Sequence, residues 1–429
     1  MKNRVKVCMF LAIALTLTWG VAFRGTSIAT VPNESEIISL NSSNNGQGGN
    51  GSSAEGMPSA DGNFIAFDSD ATNLISNDTN GVKDVYVRNL KNNSTERVSI
   101  STTGVESNGY STLHAISQNG RYIVFASQAS NLIDGETNSV SSSLYDIYLR
   151  DTKTNQTTIL NKNSSGVRQY RVQVTGISGD GRFIVADTNS YQLAPNTNFH
   201  GRKLVVLDRV SNTWKYIDEI PGDTQSVSDD TVRMSCDGAF IVYQSIGGRI
   251  SLVDRRDGQA ITNITLNPNG YESSPRISCD GRFIGFQTSS TNLVNNITPT
   301  DGINHLVEYD RFLGTYEYLD VEASGSFISR NTAYNTLSSF SLDNNGRGAF
   351  ALQSSYPYSG KAYIRNTGNN TTEVISLQAT GGPAFSLGTG RVYLDAAGKF
   401  AVYQAKDSDA IVSGDSNGFA DVVRSKTGW

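Results

Sequence analysis

Two stretches of this chain carry oxygen donors at a spacing that suits a hard cation. DTNGVKD at 78–84 and DSNGFAD at 415–421 both read D-x-N-G-x-x-D. In calcium loops of related spacing, alternating side-chain oxygens converge on the ion and the glycine permits a sharp bend. The donors here would be Asp78, Asn80 and Asp84 in the first copy and Asp415, Asn417 and Asp421 in the second. Ser76 and Ser413 stand where such loops carry a leading aspartate, and no bidentate glutamate follows. A Ca2+ site built this way would therefore be weak. The same residues also describe a loop capped by Asx side chains, with the last Asp opening a strand. That structural reading is the expected one, and the calcium site is the alternative.

Other chemistry is sparse. His114, His200 and His305 have no second histidine three or four residues away, which disfavours a histidine-rich metal site. No G-x-S-x-G elbow, P-loop, G-x-G-x-x-G or H-E-x-x-H occurs. Carboxylates such as Glu106, Asp223, Asp229, Asp230 and Glu272 fall in loops, but spacing alone pairs none of them. A non-catalytic protein is expected.

What must position these residues is a repeat. PSADGNFIAFDS at 58–69 returns as AISQNGRYIVFAS at 115–127, GISGDGRFIVADT at 176–188, RMSCDGAFIVYQS at 233–245 and RISCDGRFIGFQT at 276–288. Weaker copies follow at 341–353 and 393–405, so Gly62, Gly120, Gly181, Gly238, Gly281, Gly346 and Gly398 mark seven turns. Each copy predicts a strand, a two-residue Asp-Gly or Asn-Gly hairpin and a second strand. A third strand comes later, as in DVYVRN at 84–89 and DIYLRD at 146–151, and a fourth often follows, as in TEVISL at 372–377. Four antiparallel strands per repeat make a propeller blade. The fold class expected is all-β: a seven-bladed β-propeller of four-stranded antiparallel blades over residues 30–429.

The last repeat ends after its third strand, and SEIISL at 35–40 closely matches TEVISL. Residues 35–40 should supply the missing outer strand and close the ring, which removes exposed sheet edges. His114 then falls on an innermost strand and faces the channel. Cys236 and Cys279 occupy matching places in MSCDG and ISCDG of successive repeats. Stacked sheets lie about 10 Å apart and a disulfide needs Cα atoms within about 7 Å, so the pair is expected to stay unbridged.

The S-x-D-G-R-F-I-x-F block followed by D-V-Y-V-R resembles the TolB-type, WD-like propeller repeat of bacterial exported proteins, over about residues 35–425. The resemblance implies a bladed ring used as a binding platform or assembly partner, and it implies no single activity.

Residues 1–29 read as an export signal: Lys2, Arg4 and Lys6 precede an uncharged apolar stretch from Val7 to Phe23, and Ser27-Ile28-Ala29 suits cleavage. The protein is expected to be secreted, periplasmic or at the cell envelope, with membrane attachment only if the signal stays uncleaved. Cleavage would move the formal net charge from −5 to about −9, which speaks against nucleic acid as a partner.

Long connections between second and third strands and between blades all emerge on one face, and rigidly mounted long loops are where recognition concentrates. Tyr110, Tyr191, Phe199, Tyr271, Tyr356 and Tyr358 lie there. A binding or scaffold module for a protein or a polysaccharide is the leading expectation; a secreted propeller enzyme acting on glycans is the alternative.

Overall fold

The computed structural model describes residues 35–42, 48–135, 145–190, 192–193, 201–220, 231–265, 269–295, 297–328, 335–354, 360–376, 387–405 and 418–428. The segment read as a signal, 1–29, lies outside them. No helix among the described residues is long and apolar enough to cross a membrane.

Seven separate four-stranded antiparallel sheets form, each in simple sequential order except the last. Blade one is Ser53–Pro58, Phe64–Ser69, Asp84–Asn89 and Ser94–Arg97; blade five is Glu272–Ile277, Phe283–Thr288, His305–Asp310 and Thr315–Tyr318. Blade seven joins Leu387–Leu394, Phe400–Ala405 and Asp421–Lys426 to the N-terminal strand Ser35–Ile37. Its register sets Ser35 opposite Ser425 and Ile37 opposite Val423. The expected ring closure is therefore present.

Why the alternation builds a ring is visible in the core. Second and third strands are buried along nearly their whole length, because each blade is covered on both faces. Apolar residues gather into seven clusters, and each cluster spans two neighbouring blades. At the closing seam Ile38, Val402 and Val422 meet Ile65, Phe67 and Tyr86.

The turns differ from the two-residue hairpins expected. In blade one Ser59 N–H donates to the Phe64 carbonyl across four intervening residues, and Gly62 has φ 67° while no positive φ occurs at Asp61. A two-residue turn of the expected type needs positive φ at both central residues, which only the glycine supplies. Ser59 Oγ instead donates to Asp61 and accepts from Phe64 N–H, at 2.7 and 3.0 Å.

Cys236 and Cys279 form a disulfide, with Cα atoms 4.7 Å apart, so the expectation of separate thiols is overturned. The sheet spacing of about 10 Å applies to the blade bodies, whereas the blades converge at the hub. There the residues following each turn serine, or the aspartate that replaces it in blades six and seven, bond directly from blade to blade: Cys236 N–H to the Cys279 carbonyl, Gly179 to Cys236, Ala60 to Gln118, Asn344 to Ala396 and Ala396 to Ala60. The disulfide is one link of this backbone girdle.

Candidate functional site

Three regions combine polar geometry with chemistry. The first is the DTNGVKD loop. One oxygen from each of Asp78, Asp84 and Glu106 lies within 4.8 Å of the others, and the Arg97 guanidinium sits among them. Arg97 donates to Asp84 at 3.1 Å, to Glu106, and to the Asn77 carbonyl at 2.7 Å. Asn80 takes part as an amide: its Oδ1 accepts from Val82 N–H at 2.8 Å, and its Nδ2 donates to Asp84 at 2.9 Å. These are the bonds of an Asx-capped loop. Burial pushes the Asp84 carboxyl up to about 6 despite Ser99 and Arg97. Burial also works upward on Glu106, but hydrogen bonds from Thr79 and the Arg97 pair outweigh it and bring it down to about 2.

Of the second copy, Asp415 and Asn417 lie outside the described residues. Asp421 is buried and accepts from Ser39 Oγ at 2.5 Å. Ser39 belongs to a clasp repeated around the ring. In six blades the side chain just past the fourth strand accepts an N–H near the start of the third strand: Ser99 from Val85, Asn161 from Ile147, Thr265 from Ile250, Asp320 from Leu306, Ser376 from Ala362 and Ser39 from Val422. That the N-terminal Ser39 does in blade seven what Ser376 does in blade six explains the likeness of SEIISL to TEVISL.

The second region is the long-loop face. Asn50, Asn108 and Asn269 precede glycines in three blade-to-blade loops, and each clips onto the loop after the second strand of its own blade. Asn108 Nδ2 donates to Ser130 Oγ at 2.9 Å while its Oδ1 accepts Ser130 N–H at 2.9 Å. Asn50 with Thr72 and Asn269 with Thr291 repeat the pair. A Cβ on Gly109 would lie 2.8 Å from the Ala129 nitrogen, so glycine is required by the closeness of the loops. The recurring words ATNL, ASNL and STNL were the sequence signal for this device. Of the aromatics expected on this face, Tyr271 is exposed and Tyr110 is half-buried beneath Lys83. Tyr191, Phe199, Tyr356 and Tyr358 lie outside the described residues. Tyr145 and Phe419 add exposed rings that the spacing argument missed.

The third region is the hub. A cavity of about 250 Å³ occupies the turn-ward half of the channel, lined by Arg233, Arg276, Arg391, His114, Thr175 and Tyr393 among apolar neighbours. The inner strands carry register shifts between Leu113 and Ala115, between Val174 and Gly176, and between Leu387 and Val392. Such bulges re-aim side chains, and the residues inside these three include His114, Thr175 and Arg391. His114 therefore lines the channel, as expected. Its Nδ1 lies 3.0 Å from the Val174 carbonyl, which can only accept, so this nitrogen carries the proton. Across the seam Arg391 meets Glu55 at 2.7 Å.

Fold and hub together define a seven-bladed propeller with a cationic central cavity and a rigid loop face. No protein-family model matches the chain, and no curated protein matches. Solved structures do. An oligogalacturonate lyase from Vibrio parahaemolyticus aligns at TM-score 0.52 with 10% identity, covering 92% of each chain. TolB from Acinetobacter baumannii aligns at TM-score 0.41 with 14% identity, over 77% of this chain and 67% of that one. A chain assigned as TolB from Agrobacterium tumefaciens gives TM-score 0.38 and 18% identity, over 62% of this chain and 79% of that one. At these identities the first likeness concerns fold alone.

Proposed function

We propose that this chain is an exported, non-catalytic binding or scaffold propeller that holds a protein or polysaccharide on its long-loop face at the cell envelope or outside the cell. The observation that carries the reading is the repeated asparagine clip. Three loop pairs on one face are fastened by the same hydrogen bonds, and a surface held before its partner arrives loses less freedom on binding. The basic start and apolar stretch of residues 1–29 support export.

The test is a binding screen of the purified chain against a polysaccharide panel and isolated envelope proteins, repeated with Tyr110→Ser and Tyr271→Ser combined. Both rings stand on the face and neither is in the core, so the double variant should keep its melting temperature and weaken binding by about tenfold or more. Folded protein that binds nothing in the screen, or binding unchanged in the double variant, would overturn the reading. Release of shortened sugars from the panel would instead support an enzyme acting on glycans.

A further inference from the structure

We propose that the hub cavity is a binding site for a small organic carboxylate, gripped by Arg233, Arg276 and Arg391 and hydrogen-bonded by the Thr175 hydroxyl. The site lies at the turn-ward half of the channel, away from the loop face, and stands apart from the reading of that face.

Three observations converge on it. The first is charge. The chain as a whole carries a formal net charge of −5, yet the described residues that line the cavity include three arginines, against which Glu55, paired with Arg391, sets one carboxylate. A surplus of one sign in a concave place focuses the field on an ion of the other sign. Guanidinium groups, with their planar fork of donors, match a carboxylate in particular.

The second is positioning. Arg233 and Arg276 each stand five residues before a turn glycine, Gly238 and Gly281, so the repeat itself places them side by side at one level of the channel. Arg276 is 7% exposed, donates to the carbonyls of Phe340 and Pro275 at 3.0 Å each, and lies over the Phe340 ring. Those contacts fix the position of the group. Arg391 reaches the same level through the bulge in its strand and is anchored by Glu55. Burial raises the Tyr393 hydroxyl's pKa, Glu55 adds to the rise, and Arg391, Arg233 and Arg276 oppose it, so one phenol lies within the field of all three cations.

The third is an unmatched donor. Thr175 Oγ is buried with no hydrogen-bond partner, on a residue 9% exposed that lines the cavity. A buried hydroxyl is costly to leave unmade, and a ligand oxygen in the cavity would make the bond. Met57, Leu113, Ile277 and Leu394 supply apolar wall between the polar groups. Such a mixture suits an organic anion better than a bare inorganic one. The volume is at the small end for ligand pockets, which suits a single acidic sugar or a short dicarboxylate.

Titration calorimetry of the folded chain with glucuronate tests the proposal, with glucose as the neutral analogue and inorganic phosphate as the alternative anion. Glucuronate should bind and glucose should not. Arg233→Gln should weaken glucuronate by about tenfold to a hundredfold, the usual worth of a hydrogen bond to a charged group. Thr175→Val removes the unmatched hydroxyl, so the unliganded melting temperature should hold or rise while glucuronate binding falls by about twofold to tenfold. No binding of glucuronate at millimolar concentration overturns the site, as does binding unchanged in Arg233→Gln. Phosphate bound as tightly as glucuronate overturns the assignment to a carboxylate.

Discussion

Blades one and five use one backbone address for opposite charges. At the start of the third strand blade one has Asp84 and blade five has His305; past the fourth strand they have Ser99 and Asp320. Asp84 meets a cation, Arg97, whereas His305 meets two acids, Asp320 at 2.8 Å and Asp301 at 3.0 Å. Yet the clasp is the same. Val85 N–H donates to Ser99 Oγ at 3.1 Å, and Leu306 N–H donates to Asp320 Oδ1 at 3.0 Å. The fold requires an acceptor there and leaves the sign of the surrounding charge open. The cluster of Asp78, Asp84 and Glu106, which looks like a metal site by composition, is thus one of two solutions to a structural demand.

Replacing Arg97 by Met is the strongest way to break this comparison. It leaves Asp84 and Glu106 without their shared buried cation, and loss of one partner from a buried pair costs about 3–5 kcal/mol. Chemical denaturation measures it. Millimolar calcium should restore part of the loss in this variant and add less than about 1 kcal/mol to the parent, where the guanidinium holds the place. A larger calcium effect on the parent would return the loop to the metal ligands.

The clasp itself is sharpened by a matched pair of variants. Asp320→Ala strips both Leu306 N–H and His305 of a charged acceptor and should cost about 2–3 kcal/mol, while Ser99→Ala removes a neutral acceptor together with its donation to Asp84 and should cost about 1–2 kcal/mol. Equal losses, read from denaturant midpoints, would mean that the charge in blade five contributes nothing.

The smallest effect is in pH dependence. Burial raises the folded carboxyl of Asp84 from 3.8 to about 6, so between those values the unfolded chain ionises first and stability falls as pH rises, levelling off above about 6. Glu106 acts in the opposite sense, since its lowered value, about 2, makes its contribution vanish as pH falls below its ordinary 4.5. Asp84→Asn should flatten the decline between pH 4 and 6 and leave the acid limb in place. A decline of unchanged slope would assign it to another group.

The ring and its closure were readable from the sequence because they rest on period-two burial and a recurring glycine, both written locally. SEIISL was recognisable because Ile38 and Ser39 answer the same packing and clasp demands as Ile375 and Ser376. The hub was not readable. Beyond His114, its lining depends on bulges that displace Thr175 and Arg391 from simple alternation, and a bulge leaves no fixed letter in the chain. The disulfide was missed for a related reason: blade spacing is an average, and at the girdle Cys236 and Cys279 are hydrogen-bonded neighbours. Arg97 was missed as the cation of the loop because it comes from the fourth strand, 13 residues past Asp84.

Closure through the N-terminal strand also sets an order of events. Ser35 and Ser425 share a hydrogen bond across a separation of 390 residues, so the first blade-forming segment to be synthesised is among the last to find its partner. Blades one to six can assemble from contacts within and between adjacent repeats as the chain lengthens. Blade seven cannot be completed until the final strand exists. At about 5–20 residues per second that wait is roughly 20 to 80 s, during which Ile38 and the outer face of blade one remain uncovered. The cost of closing so long a loop grows only with the logarithm of its length. Distance therefore slows completion of the ring far more than it weakens the finished one, and the unfinished six-blade arc, with an uncovered apolar blade face at each end, is the species most exposed to association with another chain.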